Sequence, residues 1–374
     1  MSGKCALTGE EEMDAMSSAT KLEEHLVQMA SQKKIPLGGS LELLPLCNMN
    51  CDMCYVRLSR AEMEQKGRMR LAEEWLTLAE EMKEQGVLFL LLTGGEPFLH
   101  PEFKKIYRGL SQMGMIITIN SNGTLIDEEL ADFLAEHKPR RVNITLYGKD
   151  AATYRKLCHY ENGFEQALRG IRLLRERQID VKINGSLTKV NLNDAEELIR
   201  IAKELQVPIQ IDTYMYPAGR ERDCGFKEES RLGAREAAVA KIRILKRSLG
   251  EERFAIYREN TLHRGNLDKP EQIDCSVRCR AGKSSFIVNW QGKMTPCIML
   301  PEPSVDVFEV GFQNAWKHIV EESDKIRVSE KCATCNRREI CQTCAACALL
   351  ETGAYNKVPE YLCRNTEEMI KKLN

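Results

Sequence analysis

The sequence has no charge of one sign to spare. Its 54 Lys and Arg are met by 55 Asp and Glu, leaving a net charge of -1. A polyanion such as DNA or RNA is bound through basic surfaces, so the balance excludes a nucleic-acid partner. Long apolar runs are also missing. The longest, Val87 to Leu92, falls far short of a bilayer's thickness, so no membrane partner is expected. The opening stretch MSGKCALTGEEEMD is acidic and polar, which is neither a signal peptide nor an Arg-rich transit peptide. A cytoplasmic protein follows. There is no low-complexity segment. With 374 residues, 43% of them hydrophobic and 29% charged, the chain can bury a large core and form two domains.

What the sequence does have in excess is cysteine, 15 in all. A secreted disulfide scaffold would be short and carry a signal. In a reducing cytosol, clustered cysteines read instead as metal or iron–sulfur ligands. Cys47, Cys51 and Cys54 share one short stretch, CNMNCDMC, and nine more lie from Cys275 to Cys363. Cys5, Cys158 and Cys224 stand apart, with no expected part in cluster binding.

Residues before about Ser18 read as unstructured, and Lys21 to Ala30 as a short amphipathic helix. Strand-like segments follow at 40–46, 87–93, 115–121, 141–148, 181–188 and 207–214, rich in β-branched residues and bounded by turn residues. Between them lie helix-like segments: Leu71 to Gln85, Pro101 to Met113, Asp127 to His137, Phe164 to Gln178 and Asp194 to Leu205. Six strand–helix units at roughly 30 residues each imply a parallel sheet. The expected fold is α/β: a partial (β/α)6 TIM-like barrel over 39–225, after a tail and helix at 1–38. A charged helical bridge is expected over 226–274, with a helix from Glu228 to Ser248. A loop-rich, cysteine-dense domain then fills 275–374. It includes a hairpin at 286–297 turning at Gln291-Gly292, and helices at Lys317 to Asp324 and Glu367 to Lys372. In such barrels chemistry sits on loops after the C-terminal ends of the strands. CNMNCDMC, GGEP (94–97) and SNGT (121–124) follow the first three strands and so share one face.

Three thiolates on one loop can hold three corners of a cubane cluster and leave one iron open. Paired glycines let backbone approach a ligand closely, and Glu96 would accept from an ammonium. An amino-acid-like molecule is therefore a candidate for the fourth position. Zinc sites or buried thiols are the simpler alternatives, and for GGEP alone an ordinary tight turn.

The spacing C-x3-C-x2-C after a first strand, with GGEP after a second, resembles the radical S-adenosylmethionine (radical SAM) enzymes. The resemblance implies that Cys47, Cys51 and Cys54 bind a [4Fe–4S] cluster whose fourth iron is chelated by the methionine part of SAM. It puts Gly94, Gly95, Glu96 and Pro97 at SAM, with Gly94, Gly95 and Glu96 on the amine. It places Met53 where backbone meets adenine, and Asn120, Thr145 and Asn184 near ribose and carboxylate. The distal cysteines resemble a SPASM domain, which carries two auxiliary [4Fe–4S] clusters. By that resemblance Cys275, Cys279 and Cys297 share one cluster with a cysteine of the 344–347 segment, and Cys332, Cys335, Cys341 and Cys363 hold the other. The usual spacing after Cys341 would land on Ala345. Cys344 lies nearer to that spacing than Cys347.

The resemblance implies radical chemistry on a ribosomally made peptide, forming a thioether or other crosslink or an epimer. The partners expected are a peptide or protein substrate and an electron donor such as flavodoxin or ferredoxin. Leader recognition is expected to fall to a separate leader-binding protein or to the barrel itself, because the 46 residues before Cys47 are too few for a winged-helix module. Alternatives are oxidation of Cys or Ser as in anaerobic sulfatase-maturating enzymes, dehydrogenation of a small molecule, and a non-catalytic electron carrier. Asp212 is the nominated base, with Tyr214 and Tyr216 beside it. Sheet-end hydrogen bonding is the plainer role for all three. His100 reads as a loop residue.

Overall fold

The computed structural model describes residues 9–217, 219–222, 230–264 and 273–374, with side chains from residue 21 onward and through residue 263 of the third segment. Cys5, Cys224 and the expected helix start at Glu228 lie outside the described residues. After helix α1 (Gly9–Lys33) come six strands: β1 (Gly38–Glu42), β2 (Phe89–Thr93), β3 (Ile116–Ser121), β4 (Arg141–Thr145), β5 (Val181–Ser186) and β6 (Ile209–Asp212). All six are parallel and lie side by side in chain order. Helices α2 (Arg60–Lys66) and α3 (Ala72–Glu84) follow β1, and α4 (Phe103–Gln112) follows β2. Next come α5 (Glu128–Glu136) after β3, α6 (Ala151–Cys158) and α7 (Gly163–Glu176) after β4, and α8 (Ala195–Glu204) after β5. The five anticipated crossover helices thus appear within two residues of their expected ends. Helix α1 departs from expectation, starting at Gly9 rather than after Ser18. From Glu10 to Ile35 the chain holds no Gly or Pro and is rich in Glu, Ala and Met, so helix propensity is uninterrupted.

The strands divide their side chains between two environments. Ile117, Ile119, Val142, Ile144, Val181 and Ile183 are buried in the core shared with the flanking helices. Their alternates Asn120, Asn143, Thr145, Lys182, Asn184, Gln210 and Asp212 line a cavity on the opposite face. A closed eight-stranded barrel fills its interior with branched apolar layers. Here six strands leave the curve open, and the concave side is polar and hollow.

The chain then forms α9 (Ala234–Arg264), longer than the expected bridge helix and kinked at Gly250, where φ is +76°. Strands β7 (Ser285–Val288) and β8 (Lys293–Thr295) make the anticipated hairpin. The Gly292 N–H donates to the Asn289 carbonyl at 2.9 Å in its turn. What periodicity did not reveal is where the hairpin goes. Strand β7 pairs in parallel with β1, with Ser40 opposite Ile287, and β9 (Val305–Asp306) adds outside β8. The result is one nine-stranded sheet that runs across residue 275 without a break. Helices α10 (Val307–Val310), α11 (Phe312–Ser323), α12 (Glu330–Ala333), α13 (Ala345–Thr352) and α14 (Glu360–Leu373) complete the fold. Phe286, Phe312 and Trp316 belong to the same core as the barrel helices. Among the described residues no helix is long and apolar enough to cross a membrane.

Candidate active site

The three loops expected to share a face do so, and they are tied together. After β1 the chain runs on beside the GGEP loop: Gly95 N–H donates to Leu44 O at 2.8 Å and Glu96 N–H to Leu46 O at 2.9 Å. A Cβ on Gly94 would lie 2.4 Å from Leu44 O, and one on Gly95 2.2 Å from Leu46 O. The two glycines thus admit another backbone, the one leading into Cys47, as well as lining the cavity.

Glu96 is fully buried behind the cavity wall, and Pro97 is buried beside it. The Glu96 carboxylate accepts from Asn122 N at 2.8 Å, Phe98 N at 3.2 Å and Ser121 Oγ at 3.0 and 3.1 Å. Burial raises its pKa to about 7 against those hydrogen bonds. In turn Asn122 Nδ2 donates to Asn48 Oδ1 at 2.9 Å and approaches Cys47 Sγ at 3.6 Å. The SNGT loop is therefore a brace between Glu96 and the cysteine loop. Ser121 and Asn122 were not singled out from sequence, although SNGT was.

Cys47, Cys51 and Cys54 all line the cavity, and all are free thiols. Burial is the main cause that pushes Cys47 up to about 12 and raises Cys54. Buried thiols of this kind become thiolates only when a cation joins them. The loop rests on the end of α6. Asn50 N–H donates to Cys158 O and Asp52 N–H to Leu157 O, each at 3.0 Å. Arg222 Nη1 donates to Cys51 O at 3.1 Å.

The cavity holds about 790 Å3, near the upper end of the ~300–1,000 Å3 usual for ligand sites. Met53, Asn120, Thr145 and Asn184 line it, as do Asp212, Tyr214 and Tyr216. Asn143 Nδ2 donates to Asn120 Oδ1 at 2.8 Å across β3 and β4. Asp212 is exposed on the cavity side and accepts weakly from Gln210 Nε2 at 3.3 Å. It acts electrostatically on Lys182 and Lys241, both cavity-lining lysines lowered chiefly by desolvation. The Tyr214 hydroxyl donates to Glu351 Oε1 at 2.8 Å, and burial foremost holds it far above the usual tyrosine range. That is a bracing tyrosine rather than a base. Arg220 forks onto the buried Glu42 at 2.8 and 2.9 Å. No motif marked this pair. His100 accepts from Glu102 N at 3.2 Å through Nδ1, and its Nε2 pairs with Arg70 O at 3.0 Å, as a loop residue should.

The distal cysteines fall into two neighbourhoods. Cys332 feels the charges of Cys363, Cys341 and Cys335. Cys297 feels Cys344 and Cys279. Cys347 is buried, and its N–H and sulfur both lie 3.5 Å from Cys344 Sγ. Among the described residues no three His, Cys, Asp or Glu side chains converge as on a single ion. A tetrahedral zinc needs that convergence.

Residues 41–208 match the Radical SAM superfamily. The AdoMet-dependent heme synthase of Methanosarcina barkeri is 27% identical over 353 residues, spanning 89% of this chain and 98% of that protein. Streptococcus suis SuiB bound to precursor peptide SuiA matches with a TM-score of 0.67 at 17% identity, over 97% of this chain and 82% of SuiB. Native anSMEcpe with bound AdoMet matches at 0.66 and 17%, over 90% of this chain and 96% of that one. The likeness to both structures is one of fold, and it extends through the cysteine-dense half. The Radical SAM match spans the chain from β1 through α8, and the protein is an enzyme. The family carries a [4Fe–4S] cluster and binds SAM.

Proposed function

We propose that the protein is a radical SAM/SPASM oxidoreductase that takes a hydrogen from a peptide and carries two auxiliary clusters. The observation behind this is the joining of the Cys47–Cys54 loop, GGEP and SNGT over one polar cavity. Cys47, Cys51 and Cys54 would hold the cluster, which when reduced supplies the electron that splits SAM into a hydrogen-abstracting 5′-deoxyadenosyl radical. Gly94, Gly95 and Met53 present the wall for methionine and adenine, and Asn120, Thr145 and Asn184 offer polar contacts to ribose and carboxylate. Glu96, spent on Ser121, Asn122 and Phe98, acts through the loop it holds and contributes negative charge near the amine.

Cys332, Cys335, Cys341 and Cys363 would ligate one auxiliary cluster, and Cys275, Cys279, Cys297 and Cys344 the other. The electrostatic neighbourhoods support this division and favour Cys344 over Cys347. Asp212 remains the cavity-side carboxylate for moving a proton. A flavodoxin or ferredoxin would supply the electron, with leader recognition by a separate protein or by the barrel itself. The barrel and the SPASM half act as separate domains in this reading only for chemistry, since their sheet is shared. A peptide substrate draws support from SuiB, solved with its precursor peptide.

A second reading, a porphyrin-type substrate, rests on the full-length match to a heme synthase and on Lys182 and Lys241 at the cavity. Porphyrins such as heme carry carboxylates that two lysines would receive.

Anoxic co-expression with any short cysteine-rich peptide encoded beside the gene, against a Cys51→Ala control, separates the readings. A control-dependent loss of two hydrogens, or deuterium uptake from solvent, establishes the peptide reading. An unchanged peptide, with a porphyrin altered in mass by the same preparation, replaces it.

A further inference from the structure

Among the described residues three Lys or Arg side chains line the cavity, and one of them is spent. Arg220 is held by Glu42 and by Glu221 Oε1, the latter at 2.8 Å. Lys182 and Lys241 make no salt bridge among the described residues. Lys182 projects from β5 opposite Asn143 of β4, and β6 sets Gln210 opposite Asn184, one alternate position further on. Lys241 comes from α9. Ala237, Ala240 and Ile244 of that helix share a small core with Ala195 and Ile199 of α8, and Ile209 and Ile211 of β6 pack against it. The helix is thereby fixed beside β6, which lies five strands along the sheet from β1. Both lysines thus gather at the β5–β6 side of the cavity, away from the loops after β1 and β2.

Asp212 is the one Asp or Glu lining the cavity among the described residues, and Gln210 stands between it and Lys182. Lysine can only donate, so it fixes which end of the amide it meets. Lys182 Nζ donates to Gln210 Oε1 at 2.6 Å, and Gln210 Nε2 turns to the two Asp212 oxygens at 3.3 and 3.4 Å. The amide occupies one of the three ammonium donors and leaves the charge without a contacting carboxylate. Two lysines against one carboxylate leave one positive charge in excess. Desolvation works against both ammonium charges, and an arriving anion would offset it. A single carboxylate matches the excess. A phosphate, at roughly −1.5 to −2, would exceed it.

We propose that Lys182 and Lys241 form a carboxylate-binding subsite that selects the substrate, with Gln210 as the positioning residue that keeps Lys182 from pairing with Asp212. The proposal rests on the reading of this cavity as the substrate site, and the two fail separately. The carboxylate belongs either to a porphyrin side chain or to an acidic residue of a peptide, and two probes tell these apart. Anoxically reconstituted protein with SAM is titrated with a metalloporphyrin bearing free propionates and with its methyl ester. It is titrated likewise with a glutamate-bearing peptide and its glutamine counterpart. One probe should bind about ten-fold or more tighter with its carboxylates free, as a charged hydrogen bond gives, and that probe names the source. Lys182→Gln and Lys241→Gln should each remove most of this preference, with binding of the neutral probe reporting that the variant has folded. Gln210→Glu, which puts a carboxylate within reach of Lys182, should remove it too. No preference in the wild type for either free carboxylate, or a preference that survives in both lysine variants, overturns the proposal. So does an equal loss of SAM affinity in those variants, which would assign the lysines to SAM. Wild-type protein that prefers the free carboxylate yet never cleaves SAM overturns the radical reading and not the subsite.

Discussion

Burial lifts the Glu96 carboxyl to about 7, while two backbone amides and a serine hydroxyl pull the other way. Its ordinary value is 4.5, so between these limits the folded protein binds a proton the unfolded chain has released. Stability is therefore lost as pH rises through the window from 4.5 to about 7. The expected loss is roughly 3 kcal/mol for the cluster-free protein. Glu96→Gln removes the charge and with it the slope. Denaturant unfolding of both forms at pH 5 and pH 8 should show the variant gaining on the wild type at the higher pH. A difference that does not change with pH contradicts this account of Glu96.

Several loops after the barrel strands are stitched to one another by side chains. Asn122 joins the loops after β3 and β1, and Glu96 joins those after β2 and β3. Asn191 does the same farther along. It is fully buried, accepts from Thr188 N at 2.7 Å, and donates to Tyr147 O at 2.7 Å and Ser186 O at 3.0 Å. Asn191→Ala leaves those backbone groups unpaired, so a loss of about 1–3 kcal/mol is expected in chemical denaturation. A change within about 0.5 kcal/mol, ordinary for surface sites, would contradict the stitching role.

Runs rich in β-branched residues and bounded by turn residues made the six strands readable in sequence. The cysteine loop, GGEP and SNGT could be placed on one face because topology alone requires it. Asn191, the His159–Asp52 contact and the Arg220–Glu42 pair could not be found that way. Their partners lie 44, 107 and 178 residues off in the chain or are fixed by loop shape, and no local pattern records such pairings.

The whole molecule is built around one sheet. A reading by composition divides it near residue 275, yet β1 has β2 on one side and β7 on the other. Removing 275–374 would strip β7 from β1 and expose a strand edge beside the buried Leu41 and Leu43. It would also take Phe286, Phe312, Trp316 and Ile319 out of the common core. A chain ending at residue 274 should therefore fail to give soluble, cooperatively unfolding protein. Recovery of a barrel with a sharp thermal transition would show that the halves fold independently. The same continuity carries cavity residues from both halves, Tyr214 and Asn184 with Met299 and Gln342.

The most direct test of radical SAM chemistry in this fold is the fate of SAM itself. Anoxically reconstituted protein with a strong reductant should convert SAM to 5′-deoxyadenosine and methionine, measured by chromatography and mass. The Cys47→Ala, Cys51→Ala and Cys54→Ala variants should each abolish it while retaining iron in the distal half. Absence of 5′-deoxyadenosine from wild-type protein holding about twelve irons per chain, as three cubanes require, would contradict the account.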